Sequence, residues 1–485
     1  MGFTDSLADY FGFEEHNTDV RTEVIGGITT FLAMSYIVVV NPSVLAATHN
    51  PDGSLAKPGI AIAGYTDAQT VQMIAVVTLV ASAVAMLVMA FYANRPFGLA
   101  PGLGLNAFFA FTVVNPNVLG ISWQTALAAV VTEGVIFILL TAVGAREYVI
   151  NLFPEPVKFA VGTGIGLFLA IIGLQAMGIV VNSGATLVTL GPVASDPRAL
   201  LAVLGLLLTL ALYARGVKGS IVIGILSTTA VALVLTLVGV VTPTTLIGGW
   251  AQPGGFDASA LPQAQYDISP LVGAFAQGFG NIEAFGFALI VFTFFFVDFF
   301  DTAGTLVGVG QAGGFLDDEG DLPDADKPLM ADAIGTTVGG MLGTSTVTTY
   351  VESATGVEEG GRTGMVALVV ALLFLVSLVV VPLAAAIPQY VSHIALVVVA
   401  ILMLSNVTAI DWDDLTHAIP AGLTILVMPF TYSIAYGIAA GIISYPIVKT
   451  AVGDYDEVRL GQWLLALAFV VYFFVRTSGI LQSTV

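Results

Sequence analysis

The sequence predicts an all-α polytopic membrane protein of fourteen transmembrane segments in a 7+7 inverted repeat, with short extended stretches breaking segments 3 and 10. Three observations predict it. The 485 residues are 57% hydrophobic and only 9% charged, with a mean hydropathy of +0.96. Fourteen apolar runs punctuate the chain, seven on each side of a stretch from 242 to 285 that contains no Lys or Arg. The third run of each set is interrupted, at matching places.

The composition excludes a soluble fold. Soluble domains carry about 25% charged residues, and single hydrophobic cores stop growing near ~250 to 300 residues. A chain this long and this apolar needs lipid as its solvent.

The first seven runs lie near 22–41, 70–93, 97–114, 121–143, 157–177, 198–214 and 219–241. The second seven lie near 286–309, 328–342, 344–357, 363–387, 392–409, 417–430 and 432–449. Because seven is odd, the two sets enter the bilayer with opposite orientations, which is the arithmetic of an inverted repeat and a transporter signature. A last apolar stretch, Trp463 to Val475, is too short to span ~30 Å of hydrocarbon and reads as the centre of an interfacial helix at 458–476. The two runs before it, split at Pro429, are also short and read as a hairpin that returns to its starting side.

With that hairpin, Arg21, Arg95, Arg146, Lys158, Arg215, Lys218, Lys327, Arg362, Lys449 and Arg459 fall on one face of the membrane. Lys57 and Arg198 lie opposite, with Arg476 unassigned. The excess of basic residues places the N-terminus in the cytoplasm. The first 19 residues are polar and acidic, so no cleavable signal is visible and the first apolar run is expected to direct insertion.

The formal charge of −20 excludes nucleic acid as a partner and reads as adaptation to high salt, where dense carboxylates keep exposed loops hydrated. Thermal unfolding of the purified protein should accordingly move to higher temperature as KCl rises; a maximum at low salt would remove the halophilic reading. With no cysteine and four scattered histidines (His16, His49, His393 and His417), thiolate chemistry, disulfides and a zinc site are not expected, nor is any cofactor.

The two interruptions carry the functional argument. Segment 3, FGLAPGLGLNAFFAFTVV from Phe97 to Val114, has Gly98, Pro101, Gly102 and Gly104 near its start, which no continuous helix accommodates well. Segment 10, TSTVTTYVESATG from Thr344 to Gly356, opens with a β-branched run of strand character. Non-helical backbone at membrane depth persists only inside protein or around a cavity, so paired breaks point to a midplane binding site.

Carboxylates cluster around them. Glu352, with Ser353 beside it, follows the β-branched run near the start of a half-helix, where it can accept hydrogen bonds from a ligand, and no basic residue lies between Lys327 and Arg362 to pair with it. Asp298 and Asp301 stand i, i+3 on one face of the apolar eighth segment. Two carboxylates that close in low dielectric are not both comfortable when ionised, which suits proton coupling; a sodium-binding pair would use them differently. Asn106 follows the first break as a candidate N-cap or ligand-facing amide, and Phe108 or Phe109 could stack on a planar ligand. Glu133 lies mid-membrane in the fourth segment without an assigned role, while Glu358, Glu359, Arg362 and the acidic run 317–326 read as solvated loops.

Three stretches, FGLAPGLGLNAFFAFTVV, VDFFDTAGTLVG and ADAIGTTVGGMLGTSTVTTYVESATGVEEGGRTG, together resemble the AzgA-like purine permeases of the nucleobase-cation symporter-2 family, over roughly residues 15 to 450. The resemblance implies a uracil-permease-like fold with a core domain from 20–145 and 286–388 and a gate domain from 150–245 and 392–450. It implies functional positions at Gly104, Asn106, Asp298, Asp301 and Glu352, with Gly104, Asp298 and Asp301 in coupling. TTYVES is similar to the TTYGEN of the family's uracil carriers, with Val351 where they have glycine. DTAGTL is similar to their EHIGHL, with Thr305 where a histidine stands. That second departure fits the purine branch better than the uracil one.

The expectation is therefore a plasma-membrane symporter importing hypoxanthine, guanine or adenine with protons by alternating access, and not an enzyme. The lipid bilayer and a purine base are its expected partners; the oligomeric state stays open, a homodimer included. The alternatives are a xanthine or uracil permease of the same fold and a sodium-coupled carrier. A serine-hydrolase reading lacks GxSxG and a placed histidine, a channel would not need coupling carboxylates, and an anion carrier would prefer a basic site.

Overall fold

A computed structural model describes residues 3–50, 52–144, 153–247, 250–256, 264–281, 284–317 and 322–477. Arg146 and residues 318–321 of the acidic run lie outside these residues. Among the described residues, ten helices are long and apolar enough to cross a membrane. The other four apolar runs are the two broken ones and two helices of 17 residues, Asp326–Leu342 and Leu415–Thr431. The helices start where the sequence supplies caps. Thr66 and Gln69 form a reciprocal capping box ahead of Asp67–Val88, and Asp19 accepts the amide of Thr22 ahead of Val20–Met34.

The chain separates into two compact units, Met1–Ala142 with Ile172–Val398, and Val143–Ile171 with Val399–Val485. In the first unit the elements that build the site are α1 (Val20–Met34), α2 (Ile37–Leu45), α3 (Asp67–Val88), α4 (Leu103–Ala107), α5 (Trp123–Ala142), α6 (Ala284–Gly313), α7 (Asp326–Leu342), α8 (Ser353–Glu358) and α9 (Gly364–Val376). Two three-residue strands, β1 (Leu99–Pro101) and β2 (Val347–Thr349), lie among them.

Helix α7 packs against α5 and α3. Close approach of α5 and α7 depends on Gly134, where a Cβ would stand 2.8 Å from the backbone nitrogen of Thr337. Small residues at such crossings let backbones meet where lipid supplies no hydrophobic drive between helices. Glu23, fully buried near the start of α1, accepts from the Thr18 hydroxyl at 2.8 Å, the Arg362 amide at 2.8 Å and the Thr363 hydroxyl at 2.7 Å, tying the first segment to the turn before α9. Arg95 and Arg362 stand 5.9 and 5.8 Å from the ring of Phe315, and Lys218 pairs with Glu359. Two of the basic residues expected to share a membrane face, Arg95 and Arg362, thus share a neighbour.

Lys57, assigned from sequence to the opposite face, is not an exposed anchor. It is 7% exposed and donates to the carbonyls of Val44 and Ala46 at the end of α2. Burial pulls its pKa down to about 7, so much of the charge that would oppose the topology is discharged near neutrality.

In the second unit, Ala160, Ile410, Ala421 and Ile425 form a buried cluster with Leu167 and Val407 packed against it. Here the hairpin expected to split at Pro429 is corrected. Pro429 lies inside the helix Leu415–Thr431, and the turn falls at Tyr432, whose φ of 53° is left-handed. The next helix, Ile434–Val452, has 19 residues and is long enough to span, so it is not a short half of a hairpin. The final helix runs over Leu460–Thr477, buries Ala466 and Phe469, and exposes Leu464, Leu467 and Phe474. Its contact with the preceding helix includes Tyr436 and Phe473, ring centroids 5.3 Å apart.

Candidate functional site

The two interruptions are bonded to each other. β1 and β2 pair antiparallel, with Leu99 opposite Thr349, Ala100 opposite Thr348 and Pro101 opposite Val347. The ladder continues at both ends: Gly102 N–H donates to Thr346 O at 3.0 Å and Tyr350 N–H to Gly98 O at 2.9 Å. Backbone that leaves the helix inside a membrane must find partners within the protein, and here each break is the other's partner.

The sequence permits this pairing through local chemistry. Gly102 has an extended φ of −69° that any residue adopts, so its requirement is space: a Cβ would stand 2.6 Å from Cγ2 of Thr348. Pro101 keeps its carbonyl free for the Tyr350 hydroxyl, which donates at 2.6 Å. Ser353 accepts from Gly98 N–H at 2.9 Å and donates to Tyr350 O at 2.6 Å. A π-helical turn precedes the first break (Met89–Ala93) and another follows it (Phe108–Val113), a form often found beside functional sites.

At the end of β2 the chain turns and Glu352 becomes the N-cap of α8. Its side chain does not cap the helix; Oε1 accepts from the Tyr36 hydroxyl at 2.6 Å. Asp301 is an electrostatic neighbour of Glu352, and its helix α6 packs on α8. Both carboxylates are partly exposed, whereas Asp298, one turn earlier on α6, is fully buried. Two partly open carboxylates at paired breaks form an acceptor pair for a ligand that offers N–H groups.

The other expected positions divide. Val351, 54% exposed, stands beside Glu352 on the open side. Gly104, half-buried, lies within α4. Asn106 is not a helix cap: Gly102 holds that position, and Asn106, fully buried, accepts from the Ser345 hydroxyl and so braces the second break against the first. Phe108 is fully buried with its ring edge-on to Phe294 at 5.0 Å, and in this structure it is not open to a ligand. Ser353 is likewise buried in the ladder's hydrogen bonds.

Sequence reasoning missed three contributors. Tyr36 stands between α1 and α2 and is almost fully buried; its signal was a lone hydroxylated aromatic in the apolar run before Asn41-Pro42. Tyr350 ties the breaks together. Asp332 on α7 is fully buried and accepts from the hydroxyls of Thr302 at 2.9 Å and Thr349 at 3.0 Å. The rule that singled out Glu133, that an intramembrane acid is a functional candidate, applies equally to Asp332.

Comparisons with known proteins place this geometry in context. A family model described as "Permease family" matches residues 21–440. The chain is 40% identical to the guanine/hypoxanthine permease PbuG of Bacillus subtilis, over 96% of this chain and 99% of that one. It is 35% identical to the adenine permease AdeQ of Escherichia coli, over 96% of each. Among solved structures it is similar in fold, at 16% identity, to the transmembrane domain of a cyanobacterium bicarbonate transporter, BicA, with a TM-score of 0.56 over 87% of this chain and 97% of that one.

Proposed function

This chain belongs to the Permease family, a family of transporters and not of enzymes, and on that premise we propose that it imports purine nucleobases by proton symport. The observation that carries the proposal is the pair of partly open carboxylates, Glu352 held by Tyr36 and Asp301 beside it, at the hydrogen-bonded breaks. A neutral purine presents ring and exocyclic N–H groups along its edge, and two carboxylates accept them in charge-assisted bonds. Relatives described as guanine/hypoxanthine and adenine permeases support hypoxanthine, guanine and adenine as substrates.

Glu352 and Asp301 bind the base, Val351 contacts its open side, and Asn106, Phe108 and Ser353 hold the breaks in register. Asp298 and Asp301 couple base to proton, Asp298 as a carrier and Asp301 through its charge beside the base, with Gly104 on the half-helix as the third coupling position. The fold is the fourteen-segment inverted repeat with core and gate domains, working in the plasma membrane with a cytoplasmic N-terminus. Alternating access moves one domain against the other around the base.

Proteoliposome uptake tests this directly. Labelled hypoxanthine, guanine and adenine are expected to accumulate under an inward proton gradient, and a sodium gradient alone should not drive them. Absence of uptake for all three overturns the substrate. Uptake of only xanthine or uracil, or strict sodium dependence, replaces the reading with one of the alternatives.

A further inference from the structure

Behind the open carboxylates lies a second acidic group, fully buried: Glu133 on α5, Asp298 on α6 and Asp332 on α7. The carboxyls of Glu133 and Asp298 lie against each other, with Asp332 in electrostatic reach of both. Among the described residues, none of the three is in an ion pair with a basic side chain. Phe137, one turn beyond Glu133, packs on Phe295 and Phe299, each with ring centroids 5.6 Å away, and closes that side with aromatic carbon.

Counting hydroxyl protons shows what this cluster lacks. Thr302 and Thr349 supply one oxygen of Asp332. Thr336 lies 3.4 Å from Asp298 Oδ2, but its single proton is directed to Val347 O at 2.8 Å. Both oxygens of Glu133, Oδ1 of Asp298 and Oδ2 of Asp332 make no hydrogen bond within bonding distance, and the Thr346 hydroxyl, a neighbour of Glu133, is the one buried donor beside the pair that is itself unpartnered. Three buried carboxylates with no cation and too few donors for their oxygens would cost far more than the fold could offset. A proton on Glu133 or Asp298 resolves this, since one carboxylic acid then donates to its neighbour. No cluster of three or more His, Cys, Asp or Glu is arranged to hold a metal ion among the described residues.

We infer that Glu133 carries the transported proton together with Asp298, as a buried carboxyl pair behind the base-binding acids; this rests on the proton-symport reading above. Asp298 faces Glu133 on one side and stands one turn from Asp301, which neighbours Glu352. The charge-bearing groups thus form a file, Glu352, Asp301, Asp298 and Glu133, with Asp332 alongside. A base whose N–H groups bond Asp301 and Glu352 stabilises those two as carboxylates, and their charge favours keeping the proton on the Glu133–Asp298 pair. Base and proton therefore load together. A carboxylate oxygen takes the proton from water on one side, and the same O–H breaks to give it to water on the other, so one positive charge accompanies a neutral base.

Glu133→Gln separates this role from simple packing, because an amide keeps the shape and hydrogen bonds but cannot release a proton at working pH. In proteoliposomes, gradient-driven accumulation and base-evoked proton entry, read with a trapped pH dye, should fall by at least about tenfold, far more than exchange of labelled for unlabelled base. Retention of coupled accumulation by the variant overturns the assignment of Glu133. A wild-type protein that accumulates purine without moving protons overturns the symport reading, and this inference with it. Where the glutamine variant does not fold, Glu133→Asp serves: it keeps a titratable group and should shift the pH of half-maximal coupled uptake by roughly half a unit or more. An unshifted profile overturns the proposal.

Discussion

Glu352→Gln is expected to abolish purine uptake while leaving a folded protein. The substitution keeps the oxygen that accepts from Tyr36 at 2.6 Å, so the local bracing survives. What changes is the other side of the group. A carboxylate oxygen that would accept an N–H of the base becomes an amide NH2, which meets that donor with another donor. Hydrogen bonds to charged groups contribute about 1.5 to 3 kcal/mol each, and a buried unpaired donor costs a similar amount again. Together these correspond to a loss of uptake of about 100-fold or more, with a melting temperature within about 3 °C of wild type. Uptake near the wild-type rate would remove Glu352 from the site. Tyr36→Phe is the milder companion, because it frees Glu352 to move without changing its chemistry.

The second large effect is expected at Gly102. Alanine there adds a Cβ 2.6 Å from Cγ2 of Thr348 and 3.2 Å from Cδ1 of Leu105, so the short, β-branched Thr348 side chain on the opposing strand has to shift. Overpacking of this kind costs about 1 to 3 kcal/mol. The strain falls on the ladder that positions Glu352, so Gly102→Ala should lower both melting temperature and uptake, the latter by about tenfold. The informative variant is the double one. Thr348→Ser removes the methyl group while keeping the hydroxyl that contacts Thr302 at 2.7 Å, and it should restore uptake in the Gly102→Ala background. A double variant no better than the single one would show that Gly102 serves something other than strand approach.

Much of this was legible in the sequence because lipid imposes a simple code. Helices such as Asp67–Val88 and Trp123–Ala142 lie within a few residues of the apolar runs that announced them. The breaks were legible for the same reason: Gly98, Pro101 and Gly102 spoil one helix, and a β-branched run spoils the other. That the breaks would bond to each other was not legible, since register between strands in different halves of the chain leaves no local trace. Proline misled at 429, where the helix continues through it and turns only at Tyr432. Asn106 and Phe108 misled differently. Their residue types suit a ligand, but burial is decided by which helices close over them, and only the folded chain shows that both face inward.

The ladder between the two breaks also bears on how the protein is made. Tyr350 and Pro101 are 249 residues apart in the chain. At ordinary rates of synthesis, the first break enters the bilayer on the order of tens of seconds before its partner exists. During that interval the Gly102 amide and the Gly98 carbonyl have no strand to meet, in a solvent that offers no substitute. The amino-terminal half is therefore an unfinished structure that cannot mature alone. Closure of the ladder completes the fold and the binding site in a single event, so a chain stalled before residue 347 would present unpaired membrane-embedded backbone to the cell's quality-control machinery.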